Sequence, residues 1–146
     1  MMNVLAKVLR TSGHDTRWLQ IGLLIGRVGF AVSLIWLHGY SKLPALLTRP
    51  NQFFDPLGLG PATSLALALF AEVICAILLA LGSLGRWPCV PLVLNFGVIV
   101  FVLHEAQVPG DRGELALLYL VAFSMLLLTG PGRYTVPGWL KGRSRE

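Results

Sequence analysis

The sequence predicts an all-α fold, an integral membrane four-helix bundle, and two observations favour it. The chain has 146 residues, of which 55% are hydrophobic and only 13% are charged, whereas a soluble domain has about 25% charged residues. Its apolar residues form four long runs separated by segments rich in glycine and proline. Because backbone polar groups need internal partners in lipid, such runs are expected to be helices.

The first helix is predicted over residues 18–40. A polar lead, residues 1–20, comes before most of it, and no small-residue cleavage site of a signal peptide follows the first apolar run. The segment 44–60 contains three prolines and is predicted to be a loop. We therefore interpret the first run as a membrane span and the lead as cytosolic.

Three further helices are predicted over residues 62–84, 91–104 and 114–129. Glycines and prolines punctuate the chain between them and directly after the last one. Each run approaches the roughly 20 residues that cross the hydrocarbon core, with the third and fourth on the short side. Residues 21–130 are thus predicted to form one membrane domain, and residues 131–146 a basic cytosolic tail.

The basic residues predict the orientation. Lys and Arg flank cytoplasmic ends of membrane helices in excess, and the side of this chain that holds the lead, the second turn and the tail carries Lys7, Arg10, Arg17, Arg86, Arg133, Lys141, Arg143 and Arg145. Both termini are expected in the cytoplasm and the protein in the inner (plasma) membrane. The net charge of +5 is then explained by topology, with the lipid bilayer rather than nucleic acid as the partner.

Two ionisable residues lie inside apolar runs. Arg27 falls in the first run and Glu72 in the second. A charge at that depth costs several kcal/mol or more, so each needs a protein partner or a watery cavity. We expect Glu72 to pack against Arg27, His104 or both, and Asn95 to lie in the inner half near Arg27, directed toward a neighbouring helix.

Depth estimates predict a polar layer. At about 1.5 Å per residue, Glu72, His104 and Tyr119 fall at a common level, with His38 just above them. Lys42 follows His38 by four residues and so extends the same helix face. The sequence predicts a site in the outer half of the bundle, between the first three helices.

The chemistry that suits such a layer is quinone binding. Quinone carbonyls need hydrogen-bond donors, and quinone reduction needs protons, which His and Glu relay. The predicted catalytic residues are Glu72, His104 and His38, and the predicted ligand-binding residues are Arg27, His38, Lys42, Glu72, His104 and Tyr119. Haem held by His38 and His104 is the weaker alternative, and a purely structural charge lock is another. No metal site is predicted.

Several segments resemble the DoxX family of small membrane proteins. They are Leu-Ile-Gly-Arg at 24–27, His-Gly-Tyr-Ser-Lys-Leu at 38–43, Ala-Glu at 71–72, Leu-Leu-Ala-Leu-Gly at 78–82 with Arg86, His104 at the end of the third helix, and Thr-Gly-Pro-Gly-Arg-Tyr at 129–134. Together they extend over roughly residues 20 to 136.

The resemblance implies a four-helix membrane bundle associated with oxidoreductase systems that pass electrons toward quinone. The positions that match the family's polar residues are Arg27, His38, Lys42, Glu72, Arg86 and His104. No flavin, nucleotide or iron–sulfur motif occurs in the sequence, so a partner redox subunit would supply the electron carrier, and a homo-oligomer is the other expected assembly. The competing hypotheses are a non-enzymatic membrane anchor or assembly factor and a small proton or solute transporter.

Overall fold

The computed structural model describes residues 13–103 and 111–143 of the chain. Within these ranges every regular element is helical, which confirms the all-α prediction. Five helices, α1 to α5, follow one another along the described chain, and the first four are long.

Helix α1 continues without a break through residues 13–48. It consists of an α-helix Gly13–Leu34, a π-helical turn Ile35–Gly39 and an α-helix Tyr40–Thr48. The prediction of a loop from residue 44 is therefore wrong, because Pro44 lies inside the last segment. Proline is tolerated in apolar helices where a nearby π turn adjusts the backbone. The loop begins only at Arg49.

Helix α2 is Pro61–Leu81. Proline at its first position needs no amide hydrogen there, and Gly82 ends the helix in the left-handed conformation, with φ at 69°. The helix stops three residues before the predicted end. A π-helical turn, Phe70–Cys75, interrupts it near the middle.

Helix α3 comprises an α-helix Cys89–Val98 followed by a π-helical turn Ile99–Leu103. Helix α4 is Asp111–Thr129, and a short helix α5, Val136–Arg143, follows the glycine-rich stop. The predicted third and fourth helices agree with these positions to within a few residues.

The four long helices pack side by side. The first half of α1 contacts the last part of α2, and the end of α1 contacts the start of α2, so these two helices are antiparallel. Helix α3 packs against α2 on one side and α4 on the other, and α4 also contacts α1. The core between them is apolar and closed, with Leu34, Leu92 and Phe123 all fully buried.

The outer surface carries many large apolar side chains. Large side chains on different helices face outward, such as Trp36 on α1, Leu94 on α3 and Leu128 on α4. Exposed apolar area on this scale indicates an interaction surface. By length and composition, Arg17–Thr48 and Pro61–Leu81 are long and apolar enough to cross a membrane. The other two long helices are apolar but shorter.

Candidate functional site

The described residues contain three π-helical turns. Two of them interrupt α1 and α2 and contact each other, and the third follows the α-helical part of α3 and contacts α4. His38 lies in the first of them and Glu72 in the second. Such turns are rare in proteins and are found frequently at functional sites. The contact of the turns of α1 and α2 makes this region the candidate site.

A glycine brings α1 and α2 together at this level. A Cβ atom at Gly39 would lie 2.7 Å from Cγ2 of Val73 and 3.7 Å from the carbonyl oxygen of Glu72. No real Cβ approaches another carbon so closely, and close approach of two backbones is a general use of glycine between apolar helices. Gly39 therefore lets the segment that follows it reach across to Glu72.

Lys42 and Glu72 form an ion pair between α1 and α2. The ammonium nitrogen of Lys42 donates to both carboxylate oxygens of Glu72, at 2.5 and 2.7 Å. The Glu72 side chain is 1% exposed and that of Lys42 22% exposed. Bidentate contact to a buried carboxylate is among the stronger hydrogen-bonding arrangements, so the charge of Glu72 is compensated inside the protein.

Asn95 on α3 completes this group. Its amide nitrogen donates to Oε1 of Glu72 at 3.2 Å. The prediction that Asn95 lies in the other half of the molecule near Arg27 is thus wrong, although it does point to a neighbouring helix as expected. The three residues Lys42, Glu72 and Asn95, here called the polar triad, connect three helices through one carboxylate.

Arg27 does not pair with Glu72, contrary to the sequence prediction. It is 1% exposed, and its guanidinium donates to the carbonyl oxygen of Pro131 and, at 2.7 Å, to that of Tyr134. A guanidinium has five donors and no acceptor, so two backbone carbonyls are suitable partners. Arg27 therefore ties α1 to the segment between α4 and α5, away from the polar triad.

Glycines allow the chain to close around this arginine. A Cβ at Gly82, just after α2, would lie 2.7 Å from Nη1 of Arg27 and 2.6 Å from Cγ2 of Thr135. The amide of Arg133 donates to the side chain of Gln20 at 2.7 Å. Three of the segments with family resemblance thus meet at Arg27.

His38 and Tyr119 lie together behind the polar triad. Their rings meet edge to face with centroids 5.7 Å apart, and the Tyr119 hydroxyl is hydrogen-bonded to Ser33 at 3.0 Å. Tyr119 also stacks on Phe96 and Phe123. Tyr119, which was predicted at the level of Glu72, lies in the aromatic core of the bundle.

A groove of about 740 Å³ opens beside the polar triad. Its walls are one face of α2, one face of α3 and the loop after α1, and they are almost entirely apolar. Lys42 and Asn95 contribute its polar lining near the ion pair, while His38 and Tyr119 do not line it. The volume falls within the range of about 300–1,000 Å³ that is usual for ligand pockets.

The loop between α1 and α2 covers one end of the groove. Phe53 and Phe54 line it from this side, and the Lys42 nitrogen lies 5.8 Å from the centre of the Phe53 ring. A cation over an aromatic ring at this distance is attracted to it. Lys42 thus contacts the carboxylate of Glu72, the loop and the groove at once.

Asp55 holds that loop in place. Its carboxylate accepts hydrogen bonds from the Ser64 hydroxyl at 2.7 Å and from the amides of Gly60 and Leu59 at 2.8 and 3.0 Å. The Ser64 hydroxyl is the largest cause that holds the pKa of Asp55 below its ordinary value of 3.8, and the amides add to it. Because Ser64 lies in the first turn of α2, the loop is fixed to that helix.

His104 lies outside the described residues, so its predicted catalytic and ligand-binding roles stay predictions. The same holds for the haem alternative, which needs both His38 and His104. What sequence reasoning missed is the partner of Glu72. Lys42 was assigned to the same helix face as His38, and this shared face was the signal that its long side chain could reach Glu72.

Comparison with known proteins identifies the family. A family model described as DoxX matches residues 22–105, which is more than half of the chain. This chain belongs to the DoxX family. No curated protein and no solved structure matches it.

The residues that match the DoxX model include the whole polar triad and His104, the site residue predicted from the sequence. The match ends before residues 131–134, so the carbonyl partners of Arg27 lie beyond it. DoxX proteins are membrane proteins, which accounts for the apolar outer surface of this chain as surface in contact with lipid.

Proposed function

We propose that this DoxX protein is a four-span protein of the plasma membrane with both termini in the cytoplasm. The support is the apolar surface of α1 to α4 and the basic residues at one end of the bundle, such as Arg17, Arg86 and Arg133. Topology reporters fused at residue 52 and at the C terminus are expected on opposite sides of the membrane. Both reporters on one side would overturn the arrangement.

Within this arrangement the protein acts as the quinone-binding membrane subunit of an oxidoreductase system. The observation that carries this proposal is the largely apolar groove whose lining includes the polar side chains of Lys42 and Asn95. A quinone has the same division, with hydrogen-bond acceptors on an otherwise apolar ring. The Lys42 ammonium has three donors and spends two on Glu72, so one is left for a quinone carbonyl.

Reduction of a quinone to a quinol takes up two electrons and two protons. In this proposal the electrons come from a flavin or an iron–sulfur centre on a partner subunit. Lys42 hydrogen-bonds the carbonyl oxygen on which negative charge develops, an electrostatic contribution that is large where water is excluded. Glu72 compensates the charge of the Lys42 ammonium, and His38, in the π turn of α1 four residues before Lys42, is suited to pass protons toward them.

One pair of variants separates this function from a purely structural role. Removing one charge alone destabilises a buried pair, whereas replacing both by apolar residues is often neutral. The double variant Lys42→Met, Glu72→Leu is therefore expected to fold and accumulate, yet to lose quinone binding by at least about tenfold, the equivalent of about 1.4 kcal/mol.

The control variant is Leu43→Met. Leu43 is next to Lys42 in the chain, its side chain is exposed, and it does not line the groove, so this exchange is expected to leave quinone binding unchanged. Binding is measured on purified protein by quinone extraction and titration. A double variant that folds and still binds quinone as well as the unmodified protein would contradict the proposed function.

A second candidate function, a non-enzymatic anchor or assembly factor, is favoured by one observation. The buried charges of the described residues have partners within the protein: Arg27 with two backbone carbonyls and Glu72 with Lys42. Charges arranged in this way fix how helices pack without any chemistry. This candidate predicts that the unmodified protein binds no quinone and that the double variant still assembles fully with its partner complex.

A further inference from the structure

The groove beside the polar triad opens sideways, between α2 and α3. Leu67 and Phe70 on α2 and Leu94 on α3 line it, and these same side chains are 52%, 49% and 65% exposed on the outer surface of the bundle. A side chain that both lines a groove and faces outward lies at its mouth. In a membrane protein this mouth faces the lipid.

The groove residues of each helix form one continuous stripe. On α3 they recur at positions 91, 94, 95, 98 and 99, and on α2 at positions 64, 67, 68, 70 and 71. Spacings of three and four residues place side chains on one face of a helix. The two stripes face each other and run along the helices, so the groove is elongated and can hold a chain as well as a ring.

The side toward the loop is closed by comparison. Phe53 and Phe54 line that end, and the three hydrogen bonds of Asp55 fix the loop to the start of α2. A ligand that arrives from water would have to displace this loop. A ligand already dissolved in the bilayer can enter directly through the mouth at Leu67 and Leu94.

The polar triad beside the groove carries no net charge. The ammonium of Lys42 is compensated by the carboxylate of Glu72, and Asn95 is neutral. An anionic lipid headgroup needs excess positive charge, whereas a neutral headgroup that accepts hydrogen bonds needs only the donors present here. The polar triad therefore selects a neutral, acceptor-bearing headgroup.

We propose that the groove takes a membrane-resident quinone with a long apolar tail, which enters from the bilayer between α2 and α3. Its ring lies at Lys42 and Asn95, and its tail leaves along Leu67, Leu94 and Val98. This inference rests on the proposed quinone function and adds the ligand class and its route. The tail stripe is then a specificity determinant that is separate from the polar triad.

The test compares two ligands on matched variants reconstituted in lipid nanodiscs. A tailless benzoquinone and a decyl-tailed benzoquinone are titrated against the unmodified protein, Leu94→Trp and Leu128→Trp. Leu128 is 76% exposed on α4 and does not line the groove, so it controls for a large residue in the lipid-facing surface. Each variant is compared with the unmodified protein for the same ligand, so the greater partitioning of the tailed quinone into lipid cancels.

Filling the mouth in Leu94→Trp is expected to weaken binding of the tailed quinone roughly tenfold, as overpacking of a filled space does. Binding of the tailless quinone is expected to weaken by less than about twofold. Leu128→Trp is expected to change neither. Equal weakening of both ligands by Leu94→Trp, or none, would overturn the tail route while leaving the proposed function standing. Unchanged thermal unfolding of both variants shows that the fold is intact.

A second arm separates the route from the function. A fatty alcohol with a photoreactive group in its tail carries no quinone, and after irradiation it is expected to label α2 and α3 at the mouth, with loss of the label in Leu94→Trp. If neither quinone binds the unmodified protein, the proposed function and the quinone occupant both fail, and this labelling then shows only a lipid groove. Absence of labelling at the mouth contradicts the route itself.

Discussion

The nitrogen of Lys42 lies 2.5 and 2.7 Å from the two carboxylate oxygens of Glu72, across the interface of α1 and α2. The carboxylate is almost fully buried, whereas Lys42 keeps a path to the groove. One ion pair therefore joins two helices and also presents a donor to the space where a ligand would lie. Apolar side chains can also join the two helices, whereas donation to a ligand needs the ammonium group of Lys42. The structural and chemical roles of the pair can therefore be separated.

The first prediction is a double-mutant cycle on this pair. Lys42→Met and Glu72→Leu alone are each expected to lower the free energy of unfolding by about 3 kcal/mol, because each leaves one buried charge without its partner. The double variant is expected to recover most of this loss. The free energies are measured by reversible unfolding in detergent, and a double variant as unstable as the sum of the singles would refute the coupling.

The same cycle with Arg27 is the matched control. Sequence reasoning paired Arg27 with Glu72, but the two lie in different places in the structure, so Arg27→Leu is expected to give no rescue of Glu72→Leu. Additive effects within about 0.5 kcal/mol are usual for residues without shared partners.

The second prediction concerns Arg27 itself. Arg27→Met removes two hydrogen bonds from a charged donor to backbone carbonyls, worth about 1.5–3 kcal/mol each, and is expected to release the segment after α4. Trypsin should then cleave after Arg133 at least about tenfold faster, which corresponds to about 1.4 kcal/mol in local opening. Arg49→Met, at an exposed arginine at the other end of the bundle, is the control and should leave this cleavage rate unchanged.

The third prediction tests the close approach at Gly39. Gly39→Ala is expected to destabilise the protein by about 1–3 kcal/mol, because the new methyl group meets Val73. Val73→Ala in the same chain should recover part of this loss. Gly29→Ala, where nothing lies within 4 Å of the added atom, should instead stabilise α1 by about 0.5–1 kcal/mol. Equal effects at the two glycines would show that helix contact is not the cause.

The fourth prediction is the pH response of the loop. Because folding lowers the pKa of Asp55, its ionised form stabilises the folded loop above the ordinary value of 3.8, and this stability is lost as the pH falls through the lower folded value. Carbon-13 NMR of labelled aspartate carboxyls should show one titration below 3.8 that Asp55→Asn abolishes. Ser64→Ala should raise this pKa toward 3.8, and an unchanged titration would contradict the role of the hydroxyl.

Helix positions were predictable from the sequence because apolar runs and their glycine and proline boundaries are local signals. The end of α1 was the exception. Pro44 was taken as a helix breaker, yet the helix passes through it to Thr48. The π turn Ile35–Gly39 that accompanies it has no signature that periodicity alone reveals.

The partners of the buried charges were not predictable in the same way. Depth estimates treat helices as straight and regular, but a π turn adds a residue and rotates the side chains that follow. The turns in α1 and α2 act in this way on the faces that carry Lys42 and Glu72. Arg27 was assigned to the nearest opposite charge, although its guanidinium donates to backbone carbonyls of a later segment. Every residue has a backbone carbonyl, so no sequence pattern reveals such acceptors.

The contact of Arg27 with Pro131 and Tyr134 sets an order of events during synthesis. The partners lie 104 and 107 residues later in the chain, and at about 5–20 residues per second their synthesis takes roughly 5–20 s. In the proposed four-span arrangement, α1 carries through that interval a guanidinium whose final acceptors do not yet exist. Insertion of α1 therefore has to proceed with Arg27 held by water, lipid headgroups or the insertion machinery. The contacts of Arg27 are completed only when the segment after α4 has been made.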